Sequence, residues 1–286
     1  MGTVILISSQ VVRGAVGIRA LSFALERLGI SVWAIPTVLL PHHPGHGPGT
    51  RITPDQDRFD ALVDDVIGAV DGAIAGIISG YFANAGQVRA TARLVERVKA
   101  VSPDAIYLCD PVIGDSGRLY VADDIASGIR ETLLPLADIA TPNRFECAWL
   151  RGHADESGDA SAEARHLGPR TVLVTSTPGL MRGQIGTLLV DGDDAVLAEN
   201  RLIQTSVKGT GDLLSSLFLG RRLLGSTLQE ALRLSVASTY EVLTGTAGRQ
   251  ADELLLAEFQ DSLIQPRSSV NLRRVDGGRG SRKSGA

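Results

Sequence analysis

Short apolar runs alternate with amphipathic stretches along most of this chain. Runs at residues 4–8, 32–35, 72–79, 105–109, 138–140 and 171–174 are too short for ordinary helices and predict buried strands. Between them, residues 19–28, 55–70, 84–101, 125–134 and 162–167 carry apolar positions at helical spacing. In the first of these, Leu21, Ala24, Leu25 and Leu28 share a face, and Gly29 follows as a stop. Strand–helix alternation across residues 1–175 predicts an α/β fold with one mostly parallel sheet covered on both faces. Beyond it, residues 186–190 and 195–203 predict an antiparallel pair around Asp191-Gly192-Asp193-Asp194. Residues 227–243 and 251–263 predict two further amphipathic helices.

Composition narrows the picture. Residues 1–265 read as one domain, and residues 266–286 as a basic, flexible tail. The tail's Gly280-Ser281-Arg282-Lys283-Ser284 lacks the glycine before lysine that a Walker A loop requires. A net charge of −4 gives no argument for a nucleic-acid partner. Residues 4–7 are apolar, but the run has no basic flank and is too short for a signal peptide or a membrane span. Cys109 and Cys147 follow no metal spacing and form no disulfide framework, so reduced thiols in the cytoplasm are expected.

The candidate chemistry centres on Lys208-Gly209-Thr210-Gly211-Asp212, which precedes an apolar helical run. A glycine turn at a helix start offers unpaired amides to an anion. Asp212 is either the cap of that helix or a base placed beside the anion hole. Lys208 reads as an exposed lysine. Other polar motifs fall at predicted strand ends, where open parallel sheets bind ligands. Ser9-Gln10-Val11-Val12-Arg13-Gly14-Ala15-Val16-Gly17 reads as a ligand-covering loop, although it is not a dinucleotide fingerprint. Pro41-His42-His43-Pro44-Gly45-His46 reads as a mobile substrate loop; its prolines and glycines deny the histidines a regular metal-binding face. Tyr81 is a packed aromatic or a platform for a flat ligand. Asp110 and Asp115, with Pro111 and Gly114 between them, suit water-mediated Mg²⁺ or a solvated turn. Residues 116–121 form a candidate flap carrying Tyr120. Asn143 and Glu146 lie one helical turn apart, as metal and phosphate partners or as a cap with an exposed glutamate. Thr175 and Ser176 stand at a strand end, facing phosphates or starting a turn.

Taken together, these motifs resemble the pyridoxal kinases of the ribokinase-like superfamily, from about Val4 to about Pro266. The marks are Ser9-x-Val11-Val12-x-Gly14-x-x-Gly17, Ser79-Gly80-Tyr81, Asp110-Pro111-Val112-Ile113-Gly114-Asp115, Thr141-Pro142-Asn143-x-x-Glu146, Val174-Thr175-Ser176 and Gly209-Thr210-Gly211-Asp212. The resemblance implies a ribokinase-like three-layer sandwich and ATP-dependent phosphorylation of the 5′-hydroxymethyl group of a pyridoxal-type molecule. It implies Asp212 as base, with the amides of Gly209, Thr210 and Gly211 as anion hole. It implies Asp110, Asp115 and Glu146 around Mg²⁺, and Thr141, Asn143, Thr175 and Ser176 near the phosphates, with K⁺. Tyr120 would close over the nucleotide or the product, and Ile203, Gln204 and Thr205 would approach the adenine. Ser9, Val16, His43, Pro44 and Tyr81 would hold the ring. A homodimer is the usual assembly. A hydroxymethylpyrimidine kinase and a catalytically weak regulatory module are the alternatives. Ile18 replaces the family's usual Asn, and His42-His43-Pro44 replaces its Asn-His-Thr. Residues 116–121 lack the flap cysteine of some relatives.

Overall fold

The structure is a computed structural model that describes residues 2–153 and 155–275. Its first half alternates strands and helices: β1 (Thr3–Val11), α1 (Ile18–Arg27), β2 (Val32–Leu40), α2 (Gln56–Ala69), β3 (Ile74–Ser79), α3 (Ala85–Val101) and β4 (Ile106–Cys109). A small hairpin, β5 (Gly114–Asp115) and β6 (Arg118–Leu119), precedes α4 (Asp123–Gly128), β7 (Ile139–Ala140), α5 (Arg144–Leu150) and α6 (Ala160–Arg165). Then come β8 (Thr171–Pro178), β9 (Gln184–Asp191), β10 (Asp194–Arg201), α7 (Thr210–Leu223), α8 (Leu228–Gly248), α9 (Gln260–Ile264) and β11 (Asn271–Arg274).

The main sheet runs β11-β10-β9-β8-β7-β4-β3-β1-β2. Its strands from β2 to β8 are parallel, and β9, β10 and β11 add antiparallel pairs. Helices cover both faces because strand side chains alternate. Ile5 and Ile7 of β1 face the core shared with α2 and α3, while Val4 and Leu6 face α1, α7 and α8. This is the three-layer α/β sandwich the sequence implies. From β1 the chain passes first to β2 and then back across to β3, so a crevice opens at the carboxyl ends of β1 and β3.

Several boundaries move. β1 continues to Val11 because Ser9–Val11 pair with Val38–Leu40 after a register shift. β2 runs through Pro36, which an edge strand tolerates. β8 passes the predicted end at 174, and β10 stops at Arg201, leaving 202–209 irregular. The helix predicted over 251–263 reduces to α9. Leu254 and Leu256, two residues apart, are both buried, a spacing one helix face does not provide. The segment expected as a tail from 266 instead contributes β11, whose Leu272 packs on the core beside Val270. The Walker-like 280–284 stretch lies outside the described residues.

Candidate active site

Gly209 caps α7 in a left-handed conformation, φ 95°. A Cβ there would stand 2.1 Å from the Ala15 carbonyl oxygen and 3.1 Å from Val16 Cγ1, so the N-terminal loop rests directly on this turn. The first intrahelical bond runs from the Leu213 amide to the Gly209 carbonyl, 3.0 Å. The amides of Thr210, Gly211 and Asp212 precede it, and the space over Gly211 is open. Asp212 is not the cap; it lies in the first turn, half-buried. Burial pushes its carboxyl up to about 6, opposed by a hydrogen bond from the Gly17 amide.

Beside it, Asp110 leaves the end of β4, with its amide donating to the Ser79 carbonyl at 2.9 Å. Its carboxyl is buried and pushed well above the ordinary range, first by burial, then by Glu146 and Asp212; the Ser215 and Thr141 hydroxyls oppose the rise. Glu146 forms a capping box with Asn143 at the start of α5. One Glu146 oxygen accepts from Ile113 and Gly114 at 2.8 and 3.3 Å, and the other accepts from the Asn143 amide at 2.9 Å. Asn143 Nδ2 donates to the Gly114 carbonyl at 2.8 Å. The cap expected to end in an exposed glutamate therefore ends in a buried one, and the pair braces the hairpin. Burial raises Glu146 to about 7 despite those amides.

The β5–β6 hairpin is the predicted flap. Asp115 on it is exposed, with Lys208 Nζ at 4.0 Å. Tyr120 is 52% exposed. Crowding by protein atoms first, then Glu146, Asp110, Asp212 and Asp115, raises its ionisation far above the usual phenol.

The site's other half comes from β1, β2 and β3. A Cβ on Gly17 would meet Ser9 Oγ at 2.5 Å, and Val16 is buried between this loop and the Gly209 turn. Ile18, the departure from the family's Asn, is a buried start of α1 in the core. The Tyr81 amide donates to Ser8 Oγ at 3.2 Å, and its hydroxyl accepts from Arg51 at 2.9 Å. Arg51 also stacks over the ring, 5.5 Å from its centroid. Neither Ser8 nor Arg51 was marked by any motif. His43 Nδ1 accepts from the Gly45 amide at 2.9 Å and caps a 3₁₀ turn, Pro44–His46. Burial first, then the charge of Lys208, lowers its pKa.

The nucleotide-side residues divide. Thr175 pairs with Asn143, its amide donating to the Pro142 carbonyl at 2.9 Å. Ser176 is an exposed bulge with φ 57° inside β8, not a strand end. Ile203, Gln204 and Thr205 follow β10 in irregular chain; no hydrogen bond among the described residues links them to the acidic cluster. A separate cavity of about 460 Å³, lined by Lys99, Asp138, Arg170 and Asp191, lies at the amino ends of the strands, away from this chemistry.

These raised carboxyls set a pH dependence. Glu146 and Asp212 hold protons more tightly folded than unfolded, so stability grows as pH falls through about 7 and then 6. Glu146 alone accounts for roughly 3 kcal/mol at most. The ligand-free protein should melt about 3 °C or more higher at pH 5.5 than at pH 7.5. A flat or falling melting temperature over that range would contradict the buried placement of these two groups.

A glycine turn at a helix start, a carboxylate in its first turn and buried acids at the switch point of a parallel sheet suit an α/β phosphotransferase. Sequence and structure comparisons agree. The phosphomethylpyrimidine kinase family model matches residues 56–252. A pyridoxal kinase PdxY of Rubrobacter xylanophilus is 38% identical across 94% of this chain and 96% of its own length. One from Leifsonia xyli is 36% identical across 94% and 98%. The solved Leishmania donovani pyridoxal kinase with ADP and pyridoxamine aligns at TM-score 0.88 and 26% identity, covering 96% of this chain and all (100%) of that one. The chain belongs to the pyridoxal kinase family.

Proposed function

We propose that this kinase transfers the terminal phosphoryl group of ATP to the 5′-hydroxymethyl group of pyridoxal, and of pyridoxine and pyridoxamine, forming pyridoxal 5′-phosphate and its analogues. One observation carries the assignment of roles: Asp212 lies in the first turn of α7, whose Gly209 start packs directly against Ala15 and Val16 of the ring-side loop. Base, anion hole and substrate loop thus meet at one point. The Asp212 carboxylate takes the hydroxyl proton as the oxygen attacks, a contribution of about 10²–10⁴-fold. The amides of Thr210, Gly211 and Asp212 hold the equatorial oxygens of the transferring group, whose charge is spread in a loose transition state. Ser9, Val16 and Tyr81 hold the ring. The hairpin, with Tyr120, excludes water above the phosphates.

A divalent cation fits the acidic cluster. Asp110 is buried against Glu146 and Asp212 with no cationic side chain among the groups that shift it. Among the described residues no three acids, histidines or cysteines converge on a metal position, so a cation here would be held largely through water. Asp110 would hold it, with Glu146 behind and Asp115 from the flap, and the ion would neutralise phosphate charge. The buried Thr141 hydroxyl, near the Asp110 carboxyl but without an aligned hydrogen-bond partner among the described residues, would with Thr175 take K⁺ or a phosphate oxygen. Exposed Val12, Trp33, Leu39 and Ile52 along the β1–β2 edge offer an apolar surface for a homodimer. Two free, buried cysteines suit the cytoplasm.

The test is turnover of the purified protein with Mg-ATP and K⁺ against pyridoxal, pyridoxine, pyridoxamine, hydroxymethylpyrimidine and ribose. Pyridoxal is the expected best substrate. Activity on the pyrimidine alone would replace this reading with the pyrimidine kinase that the family match at 56–252 favours. Tight pyridoxal binding without product would mark a regulatory module.

A further inference from the structure

Three segments far apart in sequence meet beside the histidine loop through charged side chains the catalytic roles do not use. Arg13, from the loop after β1, pairs with Asp252, and its Nε lies 3.1 Å from Glu253 Oε1. His46, from the histidine loop, points both ring nitrogens at the same acids: Nδ1 is 3.9 Å from Asp252 Oδ2, and Nε2 is 3.7 Å from Glu253 Oε1. Glu253 is the buried centre, its side chain 19% exposed, and Oε1 is buried without an aligned hydrogen-bond donor among the described residues. Gly14 permits this approach, since a Cβ there would stand 2.9 Å from the Glu253 carboxyl carbon.

The acids sit on a firm mount. The Ala251 amide donates to the Thr246 carbonyl at 3.2 Å, and the Leu255 amide donates to Thr246 Oγ1 at 3.1 Å. Leu254 and Leu256, just after them, are buried. The far end of the network is the substrate loop. The Arg13 amide donates to the Pro41 carbonyl at 2.9 Å. The His46 ring meets the His42 ring edge-on, 6.1 Å between centroids, and its amide donates to the His43 carbonyl at 2.9 Å.

We infer that Arg13, His46, Asp252 and Glu253 form a positioning clamp that fixes the His42–His46 loop in its ring-binding shape. The inference rests on the vitamer kinase reading and deepens it. Isolated exposed ion pairs contribute little. This network differs because its central carboxylate is mostly buried and joins an arginine and a histidine from separate segments. It also supplies a reason that a loop with Pro44 in place of a threonine can hold a ring: the loop is ordered from behind. None of the four residues need touch substrate.

The test uses Glu253→Gln, which keeps shape and removes charge, with Arg13→Gln and Arg13→Lys beside it. If losing the clamp leaves about a tenth of molecules with a competent loop, the KM for pyridoxal rises about tenfold. The KM for ATP and kcat should move less than about twofold, and Arg13→Lys should restore most of the loss. Amide exchange at residues 42–47 of the substrate-free variants, where the His46 and Gly47 amides bond to the His43 and Pro44 carbonyls, should quicken at unchanged melting temperature. Unchanged pyridoxal KM, or equal losses for ATP and pyridoxal, overturns the clamp. So does unchanged exchange in the loop. If wild type turns over only hydroxymethylpyrimidine, the vitamer reading fails. The clamp is then judged by the same exchange measurement and the KM for that pyrimidine.

Discussion

Replacing Asp212 by Asn or Ala is expected to lower kcat for pyridoxal by about 10²–10⁴-fold while the KM for ATP changes little. The primary alcohol barely ionises near neutrality, so its proton needs an acceptor as the P–O bond forms. Asp212 is the carboxylate inside the amide turn, and its pKa, raised to about 6 by burial, makes it a better base than a surface aspartate while leaving it mostly ionised at pH 7.5. Its working form is the carboxylate, so kcat/KM should fall about tenfold per pH unit below pH 6. Asp212→Asn should lose that acid limb from its residual activity. The same substitution removes a carboxylate that burial disfavours, so stability should hold or rise at pH 7.5. Kinetics and thermal melting together thus separate lost chemistry from lost fold. An Asp212→Asn enzyme with a tenth or more of wild-type kcat would remove Asp212 as the base.

The parts of this site that were legible in the sequence are those fixed locally. Glycines in Gly209-Thr210-Gly211 and the acids after a strand announce themselves because a turn and a strand end are set by a few adjacent residues. Asn143 and Glu146 were legible as a pair, but one spacing serves both a capping box and a ligand pair. Only the burial of Glu146 and its bonds to Ile113 and Gly114 distinguish a brace from a free ligand. Pairing across the sheet was not legible. Ser9–Val11 join β1 because β2 happens to extend beside them, and Asn271–Arg274 become a strand because β10 leaves an open edge. The same limit hid Arg51 over Tyr81 and the contact between Arg13 and Glu253, since no local pattern encodes a meeting of residues 30 or 240 positions apart. The 251–263 misreading has the opposite cause. Its composition suits a helix, but two alternate leucines find burial in an irregular path instead.

Gly209→Ala and Gly211→Ala should both silence the enzyme, for opposite reasons. At Gly209 the backbone is left-handed, which costs a residue with Cβ about 1–2 kcal/mol. The new methyl would also stand 2.1 Å from the Ala15 carbonyl, so the turn or the N-terminal loop must move. A displacement near 1 Å of groups that hold a transition state is worth about 10²-fold in rate. Gly209→Ala should therefore lose at least about a hundredfold in kcat, together with a lower melting temperature and weaker pyridoxal binding, because Val16 rides on the same turn. Gly211 has no neighbour within 4 Å of its would-be Cβ and lies in the first turn of α7, where Ala is the better helix former by up to about 1 kcal/mol. Gly211→Ala should leave the melting temperature unchanged or higher. If the phosphoryl group sits beside this turn as proposed, the added methyl crowds it, so kcat should fall by about 10²-fold or more. Two neighbouring glycines would then give matching losses of activity with opposite changes in stability. Full activity in Gly211→Ala would mean that the phosphoryl group is held elsewhere than over these amides.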